Sequence, residues 1–489
     1  MPLAVNSLVW FRQDLRIHDH PALSQACEFA LQQNSHVKAV YFVTPAQWAE
    51  HDVAAIQIDF IERHVNLLRQ SLASIGIALD VVHLSCFDDI LPWLQQYCAE
   101  HQIGKIFAAN EPEYNERQRD IKLIAAGIPL ALIEQDCLLT AGTVTTLSGT
   151  MYKVFTPFSK AWKKTAAGKL IKPLPAATFN APIGTSDAIK FNIQSHYPNP
   201  VSSLQWAAGE DSARELLQQF IAQDISDYQQ QRDFPAIEGT SRLSPYLAIG
   251  VISARQCITA ILFHYPDALI NDTSPAKTWL NELIWREFYR HLLVAFPKLS
   301  RGQNFNDLGK HIQWRNNKTE FDAWCKGQTG YPIVDAAMRQ LNQTGWMHNR
   351  LRMVVASFLT KHLLIDWRWG EQYFRQQLID GDLAANNGGW QWSAGTGCDA
   401  QPYFRVFNPM TQSSKFDPDA SFIKQFVPEI AGWSLKHIHE PHLKAQQANL
   451  MADLFSDRAK QDKVYPMPIV EHSSARKRAI EVLAALKRG

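Results

Sequence analysis

Four clusters in the second half of the chain combine residue types that do chemistry with types that make a poor core. In the first, Tyr228, Arg232 and Asp233 precede the turn-rich run Glu238-Gly-Thr-Ser-Arg-Leu-Ser244. Thr240, Ser241 and Ser244 flank Arg242 and Leu243 just before a helical period. Their hydroxyls, and the unbonded N–H groups of a helix start, are donors that suit a phosphate. Taken alone, the run is better explained by a simple N-cap at Ser244. The second cluster is Trp279-Leu-Asn-Glu-Leu-Ile-Trp-Arg-Glu-Phe-Tyr289. At about 100° per residue, Trp279, Glu282, Arg286 and Tyr289 share one helical face, with Trp285 beside Glu282. Such a face must be solvated, internally paired or lining a polar cavity. A Glu282–Arg286 pair within the helix would be worth only a few tenths of a kcal/mol and would leave the tryptophans unexplained.

The third cluster, Gly345-Trp-Met-His-Asn-Arg-Leu-Arg-Met353, puts Asn349, Arg352, Met353 and Ala356 on one face. Around it, residues 339–375 hold six Lys and Arg against two acids. Arginines for phosphates and aromatics for bases read as a nucleic-acid face, although Arg350 alone could be ordinary surface. The fourth cluster runs from Ile379 to Trp392 and contains Asp380, Gly381, Asp382, Asn386, Trp390 and Trp392. With three glycines and two asparagines it reads as a loop, a poor helix but a good frame for a polar heterocycle. A metal reading of Asp380 and Asp382 is weaker, because no further ligand follows at the right spacing.

The elements that must carry these clusters divide the chain. Apolar runs at 8–11, 37–43, 79–84, 105–109 and 129–133 read as buried strands, separated by amphipathic stretches such as 54–75, which closes at Gly76. That alternation predicts an α/β domain over 1–140 with a doubly wound parallel sheet of Rossmann type. It lacks GxGxxG after the first strand and any GxxxxGK[ST], so dinucleotide binding does not follow from the fold. Residues 141–210 lose the rhythm, and 172–200 read as a connector rich in Pro, Ser, Thr and Asn. From 211 to 489 helical periods dominate, and an all-helical domain is expected.

Bulk properties agree with two large domains in a 489-residue chain. The seven cysteines are scattered without a CxxC pair, which argues against a disulfide framework or structural zinc and fits a reducing cytoplasm. The start has no secretory pattern, and no apolar run reaches the ~20 residues of a membrane span. Net charge is only +1, yet residues 1–140 hold 9 Lys and Arg against 17 Asp and Glu. A polyanion partner therefore belongs on the later part, although charge alone also fits a solvated surface. Of the 15 tryptophans, 11 lie from Trp206 onward, several in Asn- and Arg-rich contexts.

These four clusters, with Trp10-Phe-Arg-Gln-Asp-Leu-Arg16 and Met151-Tyr-Lys-Val-Phe-Thr-Pro-Phe158, closely resemble the photolyase/cryptochrome family. They look most like its class I bacterial photolyases for cyclobutane pyrimidine dimers, and the resemblance runs from about Leu8 to Ala475. It implies one FAD in the helical domain. Tyr228 and the run Thr240 to Ser244 (with Ser241, Arg242 and Leu243) would hold the phosphates and ribityl chain. Trp279, Arg286, Gly381 and Asp382 belong to the same cofactor site, Arg352 would pair with Asp380 beside the flavin, and Asn386 would face flavin N5. The implied activity is light-driven electron transfer from reduced FAD to a dimer flipped out of double-stranded DNA. Trp285 and Trp392 would wall the lesion, Glu282 would bond a pyrimidine edge, and Asn349 and Met353 would line the pocket. Arg232, Arg350 and Gln412 would contact DNA. Trp390, Trp367 and Trp314 match a tryptophan chain that reduces oxidised flavin, though three core tryptophans would look the same. His51, Asn115 and Glu116 match an antenna site for 5,10-methenyltetrahydrofolate. Ser300-Arg301 stands where the relatives show Cys-Lys, so charge is kept but geometry is not, leaving a deazaflavin or an empty cleft as alternatives. A monomer without membrane or obligate protein partner is expected.

The competing reading is a cryptochrome, the same fold used as a photoreceptor. It is disfavoured by the intact lesion pocket and by a chain that ends soon after the last family-like segment. A (6-4) photolyase would need pocket histidines where Asn349 and Met353 stand, since neither can act as general acid. The single-strand-preferring DASH branch usually lacks one of the two wall tryptophans. A helical flavoprotein of unrelated chemistry would not need a basic face.

Overall fold

A computed structural model describes residues 5–179, 201–443 and 465–485 of the chain. Five strands form one parallel sheet: β1 (Asn6–Phe11), β2 (Val37–Val43), β3 (Leu79–His83), β4 (Ile103–Ala109) and β5 (Leu130–Ile133). Their order is β3-β2-β1-β4-β5, the doubly wound arrangement expected from the sequence. The register sets Leu8 opposite Lys38 and Ile106, and Trp10 opposite Val40 and Ala108. Strands covered on both faces need apolar residues in succession, which is why the runs were visible as runs. The Pro21–Gln33 helix packs on β1 and β4, and Ile90–Glu100 on β4. The amphipathic helix spans Ala55–Ser74, and Gly76 follows with a φ of 82° that suits glycine.

From Glu210 onward the named elements are helical, as expected. The described residues fall into two compact units that are not consecutive stretches of chain. One holds 1–229, 241–301 and 379–385, and the other 230–240, 302–378 and 386–489. In the first, the sheet shares a unit with the helices Glu210–Gln223 and Lys277–Ala295. In the second, one apolar core gathers Trp324, Leu351, Phe358, Trp367, Phe374 and Trp390.

Three readings need correction. Residues 383–394 are no loop but the helix Leu383–Ala394. Weak helix formers are overridden there by fixed partners: Asp382 accepts from the Ala385 N–H at 2.7 Å as a cap, and the Asn387 and Gln391 side chains bond to each other at 2.9 Å. The stretch 141–210 contains the helix Phe155–Ala167, and the later connector residues 180–200 lie outside the described residues. Ser244 is not an N-cap: the cap position is Leu243, and Ser244 with Pro245 opens the Ser244–Ala248 helix. Among the described residues no helix is long and apolar enough to cross a membrane.

Candidate functional site

In the first unit, the Lys277–Ala295 helix positions Trp279, Glu282, Trp285 and Arg286. Trp279 is buried against Phe220, which in turn contacts Tyr228, and its indole N–H donates to Ser241 Oγ at 3.3 Å. This ties the turn 241–244 to the helix. Arg242 adopts a left-handed φ of 51° within that turn and lies over the Trp206 ring.

Arg286 does not pair with Glu282. Its guanidinium bonds both the carboxylate and the carbonyl of Asp136. Arg290, one turn further on, bonds Asp136 and reaches Asp382 at 2.5 Å. Burial opposes ionisation of Asp136, but Arg286 and Arg290 overcome it and hold its carboxyl below the usual range. Asp382 is lowered in the same way, against its burial, by Arg290 and then Arg286. Gly381 is fixed through its carbonyl, which accepts from Gln57 at 2.9 Å. Asp380 is buried. Sequence reasoning missed Arg290 and Asp136, although Arg290 shares the Arg286 face at i+4.

Trp285 is half-buried, and one of its faces lies on Phe155 with centroids 3.7 Å apart and planes at 5°. The Met151–Phe158 motif therefore has a physical task, which is to back the indole with a flat apolar support. Tyr289 adds a second stacked contact at 5.5 Å.

The same unit gathers His51, Asn115 and Glu116. Asn115 Nδ2 lies 3.0 Å from His51 Nε2, and Glu116 Oε1 lies 3.5 Å from His51 Nδ1. Asn115 and Glu116 follow β4, and Arg12 follows β1, so the group stands at the carboxyl ends of the two strands where the sheet order reverses. Open α/β sheets bind ligands at that point. Burial, and then Glu111, push Glu116 up to about 7, while burial with Glu116 and Glu111 raises Glu113 well above its ordinary value. Arg301 lies over the Tyr114 ring at 5.2 Å.

In the second unit, the Asn349–Ser357 helix exposes Asn349 and half-buries Arg350, Arg352 and Met353. Arg350 Nη2 meets Asp233 Oδ2 at 2.6 Å, and Arg232 Nε lies 4.0 Å from Asp233 Oδ1. Arg352 Nε donates to Met347 O at 2.8 Å. The basic face expected over 339–375 is otherwise mostly spent internally. Arg339 pairs with Glu429 and Arg368 with Asp366. Lys361 is buried, donates to Ala394 O at 3.2 Å, and is pulled down to about 8 by burial. Asn386 donates through Nδ2 to Glu371 O at 2.9 Å, and among the described residues its Oδ1 has no partner. Trp367 and Trp390 are buried in one apolar core with Trp314 packed against it. Trp367 donates to Asn304 Oδ1 at 2.9 Å. Trp390 approaches so closely that a Cβ at Gly370 would lie 2.1 Å from its ring.

Two family models match the chain. One, described as the FAD binding domain of DNA photolyase, covers 279–485, and the other, described as DNA photolyase, covers 7–178. The deoxyribodipyrimidine photo-lyase of Salmonella typhimurium is 45% identical over 500 residues, covering 99% of each chain. This chain belongs to the DNA photolyase family. Among solved structures, a class III photolyase of Agrobacterium tumefaciens superposes with a TM-score of 0.84 at 33% identity, over 100% of this chain and 99% of that one. A Synechocystis cryptochrome superposes at 0.83 with 28% identity, over 98% and 99%. The fold is thus common to photolyases and cryptochromes, and the photolyase FAD-binding domain spans the Lys277–Ala295, Asn349–Ser357 and Leu383–Ala394 helices.

Proposed function

We propose that this photolyase-family chain repairs cyclobutane pyrimidine dimers in double-stranded DNA, driven by light. The observation that carries the reading is end-to-end identity of 45% to an enzyme named for that activity. The residues present fit FAD. Arg286 and Arg290 hold Asp136 and Asp382 ionised and rigid, Gly381 is pinned by Gln57, and the Asn386 carboxamide is fixed through its Nδ2 on Glu371 O. Reduced FAD, when bound, supplies the light-excited electron donor. The chain's own residues bind and orient. Tyr228 and Thr240 to Ser244 would take phosphate and ribityl oxygens, with Trp279, Arg352 and Asp380 completing the cofactor site. The Asn386 oxygen would accept from a protonated flavin N5 without adding a charge. Trp285, backed by Phe155, and Trp392 would stack on the extruded dimer, with Glu282, Asn349 and Met353 at its edges. Arg232, Arg350 and Gln412 would take the DNA strand. Trp390, Trp367 and Trp314 would serve as the reducing chain.

The same reading assigns the cleft at His51, Asn115 and Glu116 to 5,10-methenyltetrahydrofolate. A cationic ring system would favour ionisation of Glu116, which burial raises to about 7, and Arg301 against Tyr114 would stand in for the lysine of the relatives. We further assign the protein to the cytoplasm, as a monomer. The decisive experiment incubates purified protein with a dimer-containing oligonucleotide under blue light and in the dark. Dimers should disappear only in the light. Flavin-loaded protein that leaves them intact under light would favour the photoreceptor reading.

A further inference from the structure

Asp233 and the arginines Arg352, Arg350 and Arg232 of the second unit all act electrostatically on His348. Burial pushes His348 down to about 4, so it is neutral at working pH and adds no charge. Its Nδ1 accepts the Arg350 backbone N–H at 3.2 Å and caps the Asn349–Ser357 helix. Arg350 is placed twice more: its guanidinium carbon lies 4.5 Å from the Phe416 ring centroid, and Nη2 holds Asp233 at 2.6 Å. Lys415 adds a further cation over the same ring at 5.1 Å. Asp233, at hydrogen-bond range of one arginine and 4.0 Å from a second, subtracts charge from the place where the phosphate contacts are assigned.

We propose that Asp233 is an electrostatic brake on sequence-independent DNA binding. The inference rests on the reading of Arg232 and Arg350 as phosphate contacts. A phosphate approaching either guanidinium meets a fixed negative charge and must share the donors with it. Phosphate neutralisation dominates non-specific affinity, and each neutralised phosphate steepens the fall of log K with log salt by about 0.9. Cancelling part of one cation therefore weakens binding to every sequence, while stacking on an extruded lesion is unaffected. The benefit is kinetic, because the protein leaves undamaged DNA sooner.

The test is Asp233→Asn, which keeps shape and an acceptor but removes the charge. Its binding to undamaged and dimer-containing duplexes is titrated at several salt concentrations. Affinity for both should rise severalfold by a similar factor, the salt slope should steepen by up to about one unit, and excess undamaged DNA should inhibit repair more strongly. Asp233→Glu should restore wild-type behaviour. In an Arg350→Ala background most of the gain should vanish. Weaker binding by Asp233→Asn would mean that Asp233 only holds Arg350 in place, and an unchanged slope would equally overturn the brake. The underlying reading fails separately, if Arg350→Ala alone leaves affinity and slope for both DNAs unchanged. Flavin content and melting temperature monitor folding of each variant.

Discussion

Two arginine groups, one in each compact unit, use the same side chain for opposite ends. On the Lys277–Ala295 helix, Arg286 and Arg290 are matched by Asp136 and Asp382, so two cations meet two carboxylates. Arg290 is buried and its donors are consumed. Around the Asn349–Ser357 helix, Arg350 and Arg232 share Asp233, and the Arg350 and Asp233 side chains keep 18% and 32% of their exposure, close to the 14% and 30% of Arg286 and Asp136. A charge-matched network rigidifies whatever it touches and offers a ligand fixed polar groups but little net charge. A carboxylate shared between two arginines, one of them at 4.0 Å, holds a fold less tightly and leaves donors to meet an anion. Arginine content alone does not separate scaffold from interface; how closely carboxylates match each arginine does.

The sharpest way to break the comparison is to remove one cation from each group. Arg290→Ala leaves Asp382 buried without its arginine and Asp136 with only Arg286. Breaking such a pair costs on the order of 3–5 kcal/mol. The denaturant midpoint should fall accordingly, with loss of bound flavin. Arg350→Ala breaks a partly exposed pair, worth about 1 kcal/mol or less, and should leave the midpoint almost unchanged. Equal losses in both variants would show that the second group is also scaffold.

A smaller effect separates charge from stacking. Trp285→Ala should cost about 1–3 kcal/mol, the usual worth of base–aromatic stacking, on dimer-containing DNA almost alone. The salt slope should stay unchanged, because no phosphate contact is lost. The Phe155 support, with its ring 3.7 Å from Trp285, makes the indole a preorganised wall. If undamaged DNA suffers equally, Trp285 is no part of a lesion pocket.

What could be read from the sequence depended on how far away each residue's partner lies. The strands were legible because burial on both faces writes itself into consecutive residues. The 383–394 helix was not, because Asn386, Asn387 and two glycines have poor local propensity and are held by Glu371 and Gln391. The basic window looked open because Glu429 and Asp233, which occupy Arg339 and Arg350, lie about 90 and 120 residues away. Lys361 reads as a surface charge in any linear count, yet it is buried against Ala394. The convergence of His51 with Asn115 and Glu116 crosses β3 and β4, and only resemblance to a family could bring them together in advance. Asp233 stood in the first cluster without a role, since its meaning depends on the Asn349–Ser357 helix.

The finest test concerns His348, which caps the helix at Arg350 and whose ionisation would add to the local positive charge. In the folded chain burial depresses it from 6.5 to about 4, so it stays neutral, whereas in the unfolded chain it titrates normally. Between these values the unfolded state binds more protons. The contribution to stability is therefore complete above pH 6.5 and is lost as pH falls toward 4. At pH 5 the loss relative to pH 7.5 should be on the order of 1–2 kcal/mol. Other buried histidines titrate in the same window, His64 and His291 at about 4 and His362 at about 3, so the wild-type acid slope alone cannot isolate the group. His348→Asn can. Asparagine keeps an acceptor for the Arg350 N–H and is itself a good helix cap, but it does not titrate. Melting curves for the two proteins should therefore converge, or cross in favour of the variant, between pH 7.5 and pH 5. Curves that run parallel would mean that His348 titrates at the same pH in the folded and unfolded chains, so that burial does not hold it neutral. The second arginine group would then gain one more positive charge near Asp233 as pH falls through the ordinary imidazole range.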